Sequence, residues 1–272
     1  MVKRKNTPAA AILVVFALFL ATACGGNAPS HNAKTTPNDS SEKRGEEIVA
    51  EFLKRDASPF RKLRVRFTVT TEDEPAEIYE LDVWRKQTAD STITLSQIVR
   101  PVDEAGATLS IENAGQKTSV ITYAAARNEF RETDTNKMFI GGLTAGELLG
   151  EWYKFTYRFV GEKEANGRKV FEVEGALKDG FSSSISKMSV LFRADDYVPA
   201  ELHLFDVGGR EIRIYRMTAF NDDPVHPYAT RTEVDNPIRK AKIVVDVLSR
   251  ELPATIDDAT FTREKLKELA KK

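Results

Sequence analysis

Over residues 62–248 the chain keeps returning to one pattern, in which apolar and polar side chains alternate with a period of two between clusters of turn-forming residues. Leu63, Val65, Phe67 and Val69 alternate with Arg64, Arg66 and Thr68. Tyr79, Leu81 and Val83 share a face, with Glu80, Asp82 and Arg85 read as lying off it. The pattern returns through Ile93, Leu95, Gln97 and Val99, then Ala107, Leu109 and Ile111, and again over 117–125. Tyr153, Phe155, Tyr157 and Phe159 form the most aromatic run, followed by Phe171 and Val173, Met188, Val190 and Phe192, and residues 200–205. Gly208-Gly209 is a tight-turn signal, and 211–220, 229–234 and 240–248 supply the last strands.

Successive side chains of a strand point to opposite faces, so each run reads as a half-buried strand. One apolar face per strand argues for antiparallel pairing. About ten or eleven such strands cannot stay in one flat open sheet. The expected fold is mainly β (α+β): a strongly curved antiparallel sheet, or half-closed β-barrel, whose apolar hollow needs helices as a cover.

Three segments supply helical signals. Ser41 is a candidate N-cap for a helix over 41–55, where Ile48, Val49, Phe52 and Leu53 form a stripe at helical spacing. Thr144 and Glu147 have the spacing of a capping box ahead of a short helix. Phe261-Thr262 precedes a last helix over 263–269.

The first 23 residues have a different character. Lys3, Arg4 and Lys5 precede an apolar run over 9–23 that ends at Cys24, the one cysteine of the 272 residues. A positive start, an apolar stretch and small residues before a cut site describe an export signal. The run is short for a membrane span, which takes about 20 apolar residues. The lone Cys after Ala21, Thr22 and Ala23 resembles the lipobox of bacterial lipoproteins, which makes Cys24 the expected lipidation site. Leu20 sits one position earlier than the pattern's usual Leu. Domains are therefore expected at 1–23 (signal peptide), 24–41 (polar disordered tether) and 42–272 (folded domain).

The alternating body carries a resemblance of its own. In 190–220 (VLFRADDYVPAELHLFDVGGREIRIYRMTAF) a strand ends in an Asp turn, followed by Val-Pro, a strand, a Gly-Gly turn and a basic-aromatic strand. In the tail, TRTEVDN (230–236) and KAKIVVDV (240–247) precede Leu252-Pro253, Phe261-Thr262 and Leu266. Pro101 with Gly106, and Phe130 with MFIGG (138–142), complete the pattern. It resembles the LolA-like outer-membrane lipoprotein-sorting proteins over nearly the whole chain after the tether. The resemblance implies a half-closed barrel with helices at its mouth and an apolar cavity for acyl chains of lipoproteins or lipids. The family's soluble carrier lacks a lipid anchor, so Cys24 would set this chain apart from it. No match to the protruding apolar loop of the anchored acceptor is found.

Catalytic chemistry finds little support. A nucleophile needs an activating base within hydrogen-bond reach. His31 lies in the tether, His203 on a strand beside Leu202 and Leu204, and His226 between two prolines. The Ser182–Ser184 run, Asp195-Asp196 and 221–223 read as loops and turns, without the ligand spacing of a hard-cation site. No phosphate-cradling glycine loop is present. With a net charge of −1 there is no basic stripe for nucleic acid.

The functional expectation is a binding protein, not an enzyme, with no cofactor and no metal. It would be a lipoprotein of the cell envelope, facing the periplasm and held to a membrane by its acylated N-terminus. Its partner would be an acyl chain, such as palmitate, of a lipoprotein or lipid, with other envelope proteins as further partners. Gly25 stands after Cys24 in place of the Asp that retains enteric-type lipoproteins at the inner membrane, which favours the outer membrane. Alternation nominates Phe67, Tyr79, Leu81, Leu95, Phe155, Tyr157, Phe159, Phe192 and Leu204 as cavity-facing, with Trp84 and Trp152 open between core and cavity. The alternative is an envelope scaffold or sensor of the same fold with a filled core.

Overall fold

The structure, a computed structural model, describes residues 37–271 apart from 56–57, 73, 102–105, 114–117 and 222. The expectations for the signal peptide, Cys24, His31 and the tether as far as residue 36 lie outside the described residues.

Among the described residues, thirteen strands form one antiparallel sheet. The first six run β1 (Phe60–Thr71), β2 (Glu77–Gln87), β3 (Ser91–Arg100), β4 (Ala107–Asn113), β5 (Thr118–Ala124) and β6 (Glu129–Thr133). The other seven are β7 (Phe155–Ala165), β8 (Arg168–Leu177), β9 (Lys187–Arg193), β10 (Pro199–Phe205), β11 (Glu211–Phe220), β12 (Ala229–Asn236) and β13 (Ala241–Glu251). The helices are α1 (Pro37–Arg55), α2 (Ala145–Leu149) and α3 (Arg263–Leu269). Strand β6 is the clearest addition to the expected count. Its residues are exposed except for a half-buried Thr133, so no alternation marks it.

The strand order is β6-β5-β4-β3-β2-β1-β13-β12-β11-β10-β9-β8-β7. The chain walks outward to one edge, crosses to the other, and walks back until its last strand pairs with its first. Apolar residues meet across that seam: Val65 opposite Val247, Phe67 opposite Val245, Val69 opposite Ile243. β6 and β7, neighbours in sequence, are the two free edges, and residues 134–154 join them.

The sheet is strongly curved. Seven strand steps separate β1 from β7, or roughly 34 Å along a flat sheet. Yet Leu63 of β1 and Phe155 of β7 line one cavity, which a flat sheet does not allow. The main core lies on this concave face and gathers Phe67, Leu81, Val173, Val190, Phe192 and Ile243, all essentially inaccessible.

α1 lies against the β7 edge on the concave side and buries Ile48, Val49, Phe52 and Leu53, the predicted stripe. It begins at Pro37, before the predicted Ser41, so 37–41 are helical and not part of a tether. Proline suits the first turn of a helix, where its missing N–H has no intrahelical acceptor to lose. The glutamate Glu46 accepts a hydrogen bond from the Tyr157 backbone N–H at 2.9 Å, satisfying a donor of the edge strand. The approach is close enough that a Cβ on Gly45 would stand 2.7 Å from the backbone nitrogens of Arg158 and Phe159.

α3 departs from expectation. It packs on the opposite, convex face, where Leu95, Ile121, Tyr123, Phe261, Leu266 and Leu269 form a second core. Thr262 caps it as predicted, accepting from the Lys265 backbone N–H at 3.2 Å. Among the described residues, α1 and the 134–154 link lie over the hollow, with Ser183 and Pro227 from neighbouring loops at its lining.

Gly45→Ala should lower unfolding free energy by about 1–3 kcal/mol, because the clash is with backbone and not with a movable side chain. Urea denaturation measures this; a loss below about 0.5 kcal/mol, the range of ordinary surface substitutions, would mean that α1 is not clamped to β7.

Candidate functional site

The concave face holds a partly open cavity of about 140 Å³. A water needs about 10–15 Å³ of such space, so the volume suits on the order of ten waters. The lining is mainly apolar: Leu63 and Val65 from β1, Phe155 from β7, Met188 from β9, Leu202 and Leu204 from β10, Tyr215 and Met217 from β11, and Val245 and Val247 from β13. Waters in such a lining find few partners, and apolar cavities take up apolar molecules instead. Phe52 of α1 and Trp152 close one wall, their rings 5.3 Å apart, and both pack on Phe192.

The 134–154 link forms the lid. Thr144 caps α2 as its spacing predicts: its hydroxyl accepts from the Glu147 N–H at 3.1 Å, and Glu147 accepts from the Thr144 N–H at 2.7 Å. Glu147 reaches further than a capping box requires. Its other oxygen accepts from the Tyr215 hydroxyl at 3.2 Å and lies 3.2 Å from Arg213 Nε. Arg213, also buried, donates to the Ile212 carbonyl and to Asn236 Oδ1 and reaches the Gly142 carbonyl. Gly141 has a φ of +59°, and a Cβ there would stand 2.6 Å from Ile243. The lid is therefore pinned to β11, β12 and β13 through one carboxylate, one guanidinium and a glycine turn. A second buried pair, Glu151–Lys154 at 2.6 Å, fixes the end of the link. Burial, with the negative charge of Glu147 beside it, holds the Tyr215 hydroxyl well above its ordinary pKa, so it remains a donor.

Of the nominated residues, Phe155 and Leu204 line the cavity. Phe67, Tyr79, Leu81, Tyr157 and Phe192 lie in the core around it, and Phe159 packs at its margin against Phe171, with rings 6.2 Å apart. Leu95 faces the other way, under α3. Both faces of β3 are covered, so alternation alone does not say which set faces the hollow; on the concave side β3 presents Thr94 and Ser96. Tyr153 leaves the aromatic face as well, because residues Trp152–Lys154 form a 3-10 turn before β7 and its ring meets Phe181. Arg85, read as off the apolar face, is on it: it stands two residues from Val83 and is buried at 1% exposure.

His203 has closer neighbours than its sequence context suggested. It lies between Glu201 and Glu211, both about 2.5 Å from its ring nitrogens. Burial lowers its pKa, but the two carboxylates outweigh that and raise it. Since Leu204 faces the core, His203 belongs to the outer face, away from the cavity. His226 packs against the Arg55 carbonyl at 3.2 Å. Asp195 and Asp196 are held by Arg193.

The geometry is that of a LolA-like fold: an open, curved antiparallel sheet with an apolar hollow and a lid between its edges. A family model described as "-like: Uncharacterized protein" matches residues 90–268, well over half of the chain, and the chain belongs to that family. Among solved structures, a DUF1329 family protein from Desulfovibrio piger ATCC 29098 is similar at 17% identity and TM-score 0.76, covering 85% of this chain and 100% of that one. A putative outer membrane lipoprotein-sorting protein domain from Vibrio parahaemolyticus is similar at 15% identity and TM-score 0.75, covering 83% and 99%. A LolA superfamily protein from Nitrosomonas europaea is similar at 15% identity and TM-score 0.66, covering 85% and 100%. At such identities the likeness is one of fold. No curated protein matches.

Removing one member of the lid's ion pair strands the other charge in the interior. Glu147→Ala and Arg213→Met should each cost about 3–5 kcal/mol, and the double variant should lose less than the sum. Denaturant titration of the four proteins closes the cycle. Strictly additive losses would show that Glu147 and Arg213 do not hold the lid together.

Proposed function

We propose that this chain is an envelope protein that holds an acyl chain of a lipoprotein or lipid in the concave cavity, without catalysis. The observation that carries the reading is the cavity itself: an apolar hollow in an otherwise close-packed core, covered by a link pinned at a few polar points. Protein interiors leave few voids larger than a water. Withdrawing each methylene of a chain from water contributes about 0.8 kcal/mol.

The lid supports uptake by movement. The sheet needs no rearrangement for the link to lift, since residues 134–154 connect its two free edges from outside the ladder. The link is held by polar contacts, Glu147 to Arg213 and Tyr215 and Gly142 to Arg213, and by Ile140, Leu143 and Leu148, which are buried in the main core, so lifting it would expose part of that core.

In this reading Cys24 would carry the lipid anchor. The protein would face the periplasm, with the outer membrane favoured by Gly25. Two or more acyl chains on one Cys anchor stably, whereas one gives marginal binding. The similar solved structure named for outer membrane lipoprotein sorting supports a role in lipoprotein or lipid handling by likeness of fold.

Leu202 lines the cavity and is half-buried, so a larger side chain there should fill the hollow from its rim. Leu202→Trp should weaken binding of a synthetic diacylated lipopeptide at least tenfold while thermal unfolding shifts by only a few degrees. Equal binding by the variant, or no binding by the unaltered protein, would overturn the proposal.

A further inference from the structure

A second, wider recess of about 620 Å³ adjoins the hollow. It is bounded by the end of β6 and the first residues of the link (133–136), by the turn before β7 (151–154), and by residues 180–182 of the loop between β8 and β9. Asn136 and Glu151 line both spaces, and Ser182 of the recess is next in sequence to Ser183 of the hollow. The two spaces therefore share a wall. A molecule whose tail lies in one can place its other end in the second.

The shared wall is polar and fixed in place. The Glu151 and Lys154 side chains, 7% and 9% exposed, meet at 2.6 Å. Around them the Tyr153 hydroxyl donates to Glu151 Oε1 at 3.4 Å and lies 3.2 Å from Thr118 Oγ1, and Lys154 donates to the Ser182 carbonyl at 3.4 Å. Asn136 Oδ1 accepts from the Ser184 backbone N–H at 3.0 Å, which ties the link to the loop. The Tyr153 and Phe181 rings meet edge to face with centroids 5.8 Å apart. Groups already held in one arrangement lose little freedom when a ligand joins them.

The lining sets the chemistry of what it can receive. It carries three carboxylates, Glu132, Asp134 and Glu151, against one ammonium, Lys154, a balance that disfavours an anionic head. Its other polar groups are mostly hydroxyls, among them Thr133, Thr135 and Ser182. A hydroxyl both donates and accepts, and a carboxylate only accepts, so a ligand hydroxyl can bond to either. The C–H side of a sugar or of glycerol suits the two aromatic rings.

We propose that this recess is a head-group site for a neutral, hydroxyl-rich end of the ligand, a sugar or a glycerol, whose acyl chain lies in the adjoining hollow. This rests on the acyl-cavity reading above and adds the chemistry of the ligand's head. Asn136 and Glu151 stand at the junction of head and chain, and Thr133, Tyr153, Phe181 and Ser182 surround the head.

The test compares four ligands of one chain length, dodecyl glucoside, glyceryl monododecanoate, dodecyl phosphate and dodecanol, added to the full chain below their aggregation concentrations. Tryptophan fluorescence reports binding, because Trp152 lines the hollow. The glucoside or the glyceride should bind tenfold or more tighter than dodecanol, and which of them does so separates a glycolipid head from a glycerolipid head. Dodecyl phosphate should bind more weakly than the preferred neutral ligand. Phe181→Ala should lower the ratio of that ligand to dodecanol at least threefold while dodecanol binds as before. Should Phe181→Ala fail to fold by circular dichroism, Thr133→Val, which removes a hydroxyl at nearly constant volume, takes its place with the same expected loss. Dodecanol binding as tightly as both neutral heads, dodecyl phosphate binding tighter than either, or a ratio unmoved in the folded variant overturns the head-group site and leaves the cavity reading standing. Binding of none of the four overturns both.

Discussion

The pairing of β1 with β13 is the constraint on which the rest of this molecule depends. It joins the start of the sheet to its end through Val65–Val247, Phe67–Val245 and Val69–Ile243. Because the first and last strands meet at the centre, the middle of the chain must supply both free edges. The 134–154 link then has to cross the open side, over the hollow that curvature creates. Lid and hollow both follow from that seam. Ile243 packs under Gly141 at the root of the lid, and Arg250 lies at the other end of the same strand.

The two ends of the hollow have different chemistry. At one, buried charges are matched: Glu147 faces Arg213, with Tyr215, Asn236 and the Gly142 carbonyl completing the set. A removed partner there leaves an uncompensated charge, which makes this end a fastening. At the other end Arg61 and Arg85 stand opposite each other on β1 and β2, with Arg250 opposite Leu63 on β13. Between them lies an apolar stretch from Leu63 to Leu204.

Much of this was legible in the residues. Period-two alternation gave the curved antiparallel sheet, and Thr144 with Glu147 gave the capping box. Phe155 and Leu204 were nominated and do line the cavity. The misreadings share a physical cause. A period of two says which residues lie together but not which side of the sheet they face. Where both sides are covered, as in β3, the apolar set is not the inward one, so Leu95 lies under α3 while Thr94 and Ser96 take the concave side. Polar residues on a buried face are misread for the same reason. Arg85 is read as lying off the apolar face of its strand and is instead buried on it, and Arg213 is buried as well. The signal that would have found Arg85 is parity, since it stands two residues after Val83. Nothing local marks Arg213, whose partners Glu147 and Gly142 come from the lid. The early start of α1 at Pro37 and the exposed strand β6 lack an apolar pattern, and β6 is defined by its pairing with β5.

The most direct test of the central claim, that the hollow holds an acyl-bearing molecule, is native mass spectrometry of the purified full chain before and after organic extraction. The expected result is an added mass that leaves on extraction, yields a fatty acyl chain on hydrolysis, and returns when the extracted lipid is restored. A bare protein mass before extraction, together with no uptake of added acyl ligand, would contradict it.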